Sequence, residues 1–104
     1  MFSIGTVMTL KPGGFPGYKK AHDDIWPELA QLISNAGISM SIYRHEDLLF
    51  IHGIAPSEEK WNSIGGEVPE KWYEWMTEFL ETDPKGKTIV TPLTEAFSFG
   101  EFSQ

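Results

Sequence analysis

An α+β domain is predicted, built on one four-stranded antiparallel sheet with helices packed on one of its faces. Three observations predict it. Apolar segments of period two and of period 3.6 succeed one another in the order β-α-β-β-α-α-β. A central pair of strands, Ile38–Tyr43 and Leu48–Ile54, is apolar on both faces once paired. The 104 residues, 40% of them hydrophobic, suffice for one core and no second module.

Each element has its own signal. Phe2 to Leu10 sets Phe2, Ile4, Met8 and Leu10 on one parity and reads as the first strand. Lys11-Pro12-Gly13-Gly14 breaks it, and Pro16 suits an early helix position. A helix is expected from Phe15 to Asn35, closed by Gly37, which tolerates the left-handed cap. Pro27 lies inside that span, lacks an amide donor and clashes with the carbonyl of Asp23, so a kink or short break is expected between Asp23 and Trp26.

Ile38–Tyr43 is the second strand, Arg44-His45-Glu46-Asp47 a charged turn, and Leu48–Ile54 the third strand. Paired across that turn, Met40, Ile42, Leu49 and Ile51 share one face, while Tyr43, Leu48, Phe50 and His52 share the other. A single layer with a solvated back does not carry so much apolar surface. One face should therefore meet helices and the other a second subunit.

Ser57 caps a short helix with Glu58 and Glu59 in its first turn and Gly65-Gly66 at its end. A further helix is expected from Pro69 to Glu81, burying Trp72, Met76, Phe79 and Leu80, with Trp75 nearby. Thr82 to Thr88 is a polar loop, and Leu93 to Phe102 alternates as a fourth strand. With the last two helices acting as one crossover, this is the ferredoxin-like split βαβ plait in a single domain, residues 1–104, of the kind that pairs into dimeric α/β barrels. Such a fold does not by itself give a function.

Composition narrows the classes. Fifteen acidic residues against eight basic ones give a formal net charge of -7, and the largest basic cluster is Lys19-Lys20, so neither nucleic acid nor an anionic membrane surface is an expected partner. No apolar run approaches a membrane span, and no signal-like segment opens the chain. With no cysteine there is no disulfide framework, thiolate nucleophile or cysteine metal site, and the cytoplasm is the expected compartment.

The chemistry-bearing segment is Tyr18 to Leu29. Tyr18, His22, Ile25, Trp26 and Leu29 recur at offsets of three and four and share one helical stripe. An imidazole in such a stripe is either a buried core histidine or an acid–base group lining a pocket, because its unperturbed proton affinity falls near neutral pH. His45 reads as a solvated turn residue and His52 as an interface residue. There is no His-x-x-x-His, no Gly-x-Ser-x-Gly elbow and no phosphate-loop signature, so metal, triad and nucleotide chemistry lack support and no cofactor is expected.

His22-x-x-Ile25-Trp26-Pro27-Glu28-Leu29, preceded by Tyr18, resembles the L-rhamnose mutarotases. The likeness continues in order through Ile42-Tyr43, Leu48-Leu49-Phe50, Glu58-Glu59-Lys60-Trp61-Asn62 and Lys71-Trp72-Tyr73-x-x-Met76-Thr77, nearly end to end. The resemblance implies a dimeric, cofactor-free enzyme that interconverts the α and β anomers of L-rhamnose in a pocket between sheet and helices. It implies His22 as the acid–base residue, Tyr18 as a sugar-binding phenol, and Trp72 and Tyr73 as the aromatic pair of the last helix, where the family usually has two tryptophans. A second-strand tyrosine of the family falls on Met40, exchanging a hydroxyl for a thioether, and the Arg44–Asp47 turn is shorter than in the rhamnose enzymes. Substrate identity is therefore open to another deoxy-sugar such as L-fucose, whereas the reaction type is kept.

Mutarotation fits these residues. A base takes the proton of the anomeric hydroxyl while an acid protonates the ring oxygen; the open aldehyde turns about C1–C2 and recloses on its other face. His22 is expected to shuttle one of the protons, Tyr18 to hold a hydroxyl or share in proton transfer, and Trp72 to cover an apolar face of the sugar. Two alternatives remain at this level. One is a ferredoxin-like dimer acting as a cofactor-free or heme-handling monooxygenase, with His22 as iron ligand or base. The other is a non-catalytic sugar-binding module in which His22 and Tyr18 only recognise the ligand.

Overall fold

A computed structural model describes residues 1–102. Strand β1 (Phe2–Thr9) leads into helix α1 (Phe15–Asp23) and helix α2 (Pro27–Asn35), and β2 (Ser39–His45) and β3 (Leu48–Ala55) form a hairpin. Helices α3 (Glu58–Ile64) and α4 (Glu70–Met76) precede a short β4 (Thr91–Pro92) and a closing 3-10 turn, Gly100–Phe102. The sheet order is β2-β3-β1-β4 with antiparallel neighbours throughout, which is the split βαβ plait.

The break inside the first predicted helix forms as expected. Trp26, held out of the helical region by the following proline, has φ -57 and ψ 132, and Pro27 opens α2 at a position needing no amide donor. Upstream, the Asp24 amide closes α1 by donating to the Lys20 carbonyl at 3.0 Å. Gly37 has φ 73 just beyond α2, the left-handed conformation its place predicts. Ser57 caps α3, its Oγ accepting from the Lys60 amide at 3.2 Å.

Register sends Met40, Ile42, Arg44, Leu49, Ile51 and Gly53 to one face, matched by Phe2, Ile4, Thr6 and Met8 of β1. The helices cover this face. Leu10, Tyr18, Ala21, Leu29, Leu49, Trp72, Met76 and Leu80 make one buried cluster between α1, α2, α4 and the sheet. The Trp61 ring of α3 occupies the space a Cβ at Gly53 would need, so only glycine fits there. Burying each large apolar side chain contributes about 1.5–3 kcal/mol, so this cluster outweighs any surface ion pair in the chain. The opposite face is open, with Tyr43 68% exposed.

Three boundaries differ from expectation. The fourth strand pairs only at Thr91–Pro92, against Val7 and Thr6, and not over Leu93–Phe102. The Leu93 amide donates once more, to the Gly5 carbonyl at 2.9 Å, and the chain then leaves the edge, so that Phe97 and Phe99 stack on each other in the open. Alternation marks a segment with one apolar side, not the strand it will pair with. Helix α4 stops at Met76 rather than Glu81, because the Lys11 amide captures the Phe79 carbonyl, Leu80 bridges Leu10, and the Glu81 amide donates to Thr9. The hairpin turn is Glu46-Asp47 alone, with Glu46 at φ 54, which returns Arg44 and His45 to strand β2.

Candidate functional site

Between α1 and the β2–β3 end of the sheet lies a cavity of about 300 Å3, lined by Phe15, Tyr18, His22, Ile42, Arg44 and Leu49, with Lys19, Asp23 and Tyr43 at its margin. That volume is at the lower end of ligand pockets, about 300–1,000 Å3, and suits one monosaccharide. Tyr18 and His22 meet there because residues four apart on a helix share a face. Their ring centroids are 4.1 Å apart with planes 30° from parallel.

The tautomer of His22 follows from its backbone contact. Nδ1 lies 2.9 Å from the Tyr18 carbonyl oxygen, which can only accept, so in the neutral ring Nδ1 carries the proton and Nε2 the lone pair. Burial lowers the His22 pKa below 6.5, outweighing the Tyr18 carbonyl and the Asp23 charge, both of which raise it. The ring is therefore neutral at pH 7 with Nε2 free to take a proton. Burial raises the Tyr18 phenol well above its ordinary value, so Tyr18 keeps its proton and acts as a donor. The residue is only 4% exposed and lines the cavity.

An aromatic wall fixes the imidazole from behind. The edge of Trp72 meets His22 at 5.2 Å between centroids and Trp26 at 5.2 Å, and Trp75 stacks on Trp26 at 5.9 Å. Trp26 takes part because the Pro27 break presents it from between two helices. At the margin, Lys19 and Asp23 form an exposed ion pair at 2.8 Å. Such pairs contribute at most about 0.5 kcal/mol to stability, so a ligand can displace either member cheaply.

The predicted site residues do not all converge. His22 and Tyr18 line one cavity. Trp72 is buried behind His22 rather than on the cavity surface. Met40 lies outside this cavity: two residues along the strand from Ile42, about 6.6 Å, it faces a separate depression beside Trp61. Tyr73 is likewise outside, because its turn of the helix points away from Trp72; its hydroxyl donates to the Gly65 carbonyl at 2.9 Å. Arg44 and Phe15 line the cavity without having been anticipated. The parity of Met40, Ile42 and Arg44 carried the signal for Arg44, hidden by assigning Arg44 to the turn. Among the described residues no cluster of three or more His, Cys, Asp or Glu side chains could hold a metal ion.

Comparison with known proteins places this geometry. A family model described as L-rhamnose mutarotase matches residues 3–99. An L-rhamnose mutarotase of Phocaeicola vulgatus is 35% identical over 94 residues, covering 86% of this chain and 90% of that protein. One from Escherichia coli is 32% identical over 95 residues, covering 88% and 91%. The crystal structure of an L-rhamnose mutarotase from Formosa agariphila superposes with a TM-score of 0.78 at 29% identity, over 96% of this chain and all of that one. A dimeric ferredoxin-like protein from an uncultured marine organism, 12% identical at a TM-score of 0.60, shares the fold alone. With a family model matching residues 3–99, relatives more than 30% identical over most of both chains, and the backbone agreeing over nearly its whole length, the chain belongs to the L-rhamnose mutarotase family.

Proposed function

We propose that the protein interconverts the α and β anomers of L-rhamnose or a related deoxy-sugar, an isomerase working by acid–base chemistry of its own side chains. The observation that carries this reading is the pinned imidazole: Nδ1 is committed to the Tyr18 carbonyl at 2.9 Å, so Nε2 is a neutral base at a sugar-sized cavity. In the forward step Nε2 removes the proton of the anomeric hydroxyl, the C1–ring oxygen bond breaks, and the ring oxygen takes a proton from the Tyr18 hydroxyl. The open aldehyde rotates about C1–C2. Reclosure returns both protons, leaving the enzyme unchanged.

Tyr18 is assigned as the hydrogen-bond donor to the reacting oxygens, supported by its protonated hydroxyl and its place one helical turn from His22. Trp72 is assigned to positioning, since it braces the imidazole from behind. The uncatalysed reaction already proceeds, so one positioned acid–base group, worth about 10²–10⁴-fold, is a sufficient catalyst. Pairing of two copies through the open sheet face belongs to the same reading, supported by the exposed Tyr43, Leu48, Phe97 and Phe99. So does residence in the cytoplasm, supported by a cysteine-free composition; no helix among the described residues is long and apolar enough to cross a membrane.

Saturation-transfer NMR on an equilibrium mixture of L-rhamnose anomers tests the assignment. His22→Ala should reduce enzyme-dependent exchange by about 10²–10⁴-fold while the domain stays folded. Exchange at the unmodified rate in that variant would remove His22 from the reaction.

A further inference from the structure

Met40 cannot supply the polar contact that a second-strand phenol would, and it lies outside the cavity. On the same face of β2, the next inward position after Ile42 is Arg44, opposite Leu49, and both Ile42 and Leu49 line the cavity. Besides Tyr43 at the margin, the group that this strand brings to the cavity is therefore a guanidinium, the strand's one charged side chain there.

Arg44 is held in place from two sides. Its Nε donates to the Glu46 carbonyl at 2.7 Å across the tight turn, and its Cζ lies 4.2 Å above the Phe15 ring, itself part of the cavity wall. Among the described residues the guanidinium makes no ion pair, and neither Nη takes part in a hydrogen bond. The other charges of the cavity, Lys19 and Asp23, neutralise each other at 2.8 Å. Arg44 is the remaining charged group of the lining, exposed at the mouth of the cavity and bordering a neighbouring depression that Asp47 also lines. A planar fork with free donors and a fixed stem is suited to a pair of oxygen acceptors.

We propose that Arg44 is the specificity-determining residue of this cavity, binding a pair of oxygen acceptors on the sugar edge away from the anomeric carbon. Such a pair is either two vicinal hydroxyls of a neutral deoxyhexose or the carboxylate of a hexuronate. Arg44 acts on binding and takes no part in proton transfer. The inference rests on the mutarotase reading of the His22 site.

Saturation-transfer exchange measured against sugar concentration tests it, with L-rhamnose and a hexuronate as the two probes. Arg44→Met keeps an apolar stem over Phe15 and removes the fork. It should raise KM at least about tenfold with kcat nearly unchanged, and Arg44→Lys, which keeps the charge without the fork, should give an intermediate KM. A rise confined to L-rhamnose identifies vicinal hydroxyls, and a rise confined to the hexuronate identifies a carboxylate. An unchanged KM for both sugars, or a fall in kcat at constant KM, overturns the role of Arg44. Absence of exchange in the unmodified protein with every sugar instead overturns the mutarotase reading.

Discussion

His22 and His52 are the same side chain in opposite settings. His22 is half-buried on the helix-covered face, with Nδ1 committed to a carbonyl and its ring held between Tyr18 and Trp72. His52 is exposed on the open face of β3, where it meets only the edge of Phe102 at 4.9 Å and fixes neither nitrogen by a hydrogen bond among the described residues. What sets His22 apart from His52 is a tautomer fixed by the Tyr18 carbonyl and a ring packed between a phenol and an indole. Residue type supplies neither.

The contrast can be broken by substitution. His22→Ala should lower exchange by about 10²–10⁴-fold, whereas His52→Ala should leave the rate per protomer as it was; equal losses in both would erase the distinction. Next in size, Trp72→Ala empties the wall behind His22 and should destabilise the domain by about 3–5 kcal/mol, read from urea unfolding. That is a large part of the roughly 5–15 kcal/mol a domain has, so exchange is best compared in Trp72→Phe. Tyr18→Phe keeps the ring against His22 and removes only the hydroxyl. Exchange should fall by about tenfold or more with unfolding free energy nearly unchanged, and an unaltered rate would reduce Tyr18 to a wall residue.

The smallest effect is in the pH profile. Burial lowers the His22 pKa from its ordinary value, so the neutral form predominates at pH 7, and exchange should hold level above neutrality and fall in acid as Nε2 protonates. The sign for stability is the same. Between the lowered folded pKa and the unfolded value of 6.5 the unfolded chain binds more protons, so stability declines as pH falls through that window. His22→Gln should remove both dependences; a profile that survives it belongs to another group.

Much of the fold was legible because periodicity is a local signal. The plait, the Pro27 break, the Gly37 cap and both faces of the hairpin follow from residue spacing. The cavity was legible only along α1, where Tyr18 and His22 share a stripe. Its other wall depends on where β2 ends, and a turn of two residues rather than four puts Arg44 in the strand and, though still exposed, in the cavity lining. Tyr73 lies away from this cavity because motif adjacency to Trp72 says nothing about direction, and a step of one residue on a helix turns the side chain by about 100°. The termini of α4 and β4 were set by contacts with β1, far away in sequence.

The aromatic wall also makes the site visible to light. Trp26, Trp72 and Trp75 lie within 6 Å of one another, ring to ring, and Trp72 touches His22, whereas Trp61 sits apart over Gly53 against Phe2. An imidazolium quenches a neighbouring indole, so acid titration should dim the emission of the three clustered tryptophans as His22 charges. A sugar entering the cavity should shift the same signal. The protein thereby carries an intrinsic fluorophore in contact with one histidine, readable without a label and without turnover.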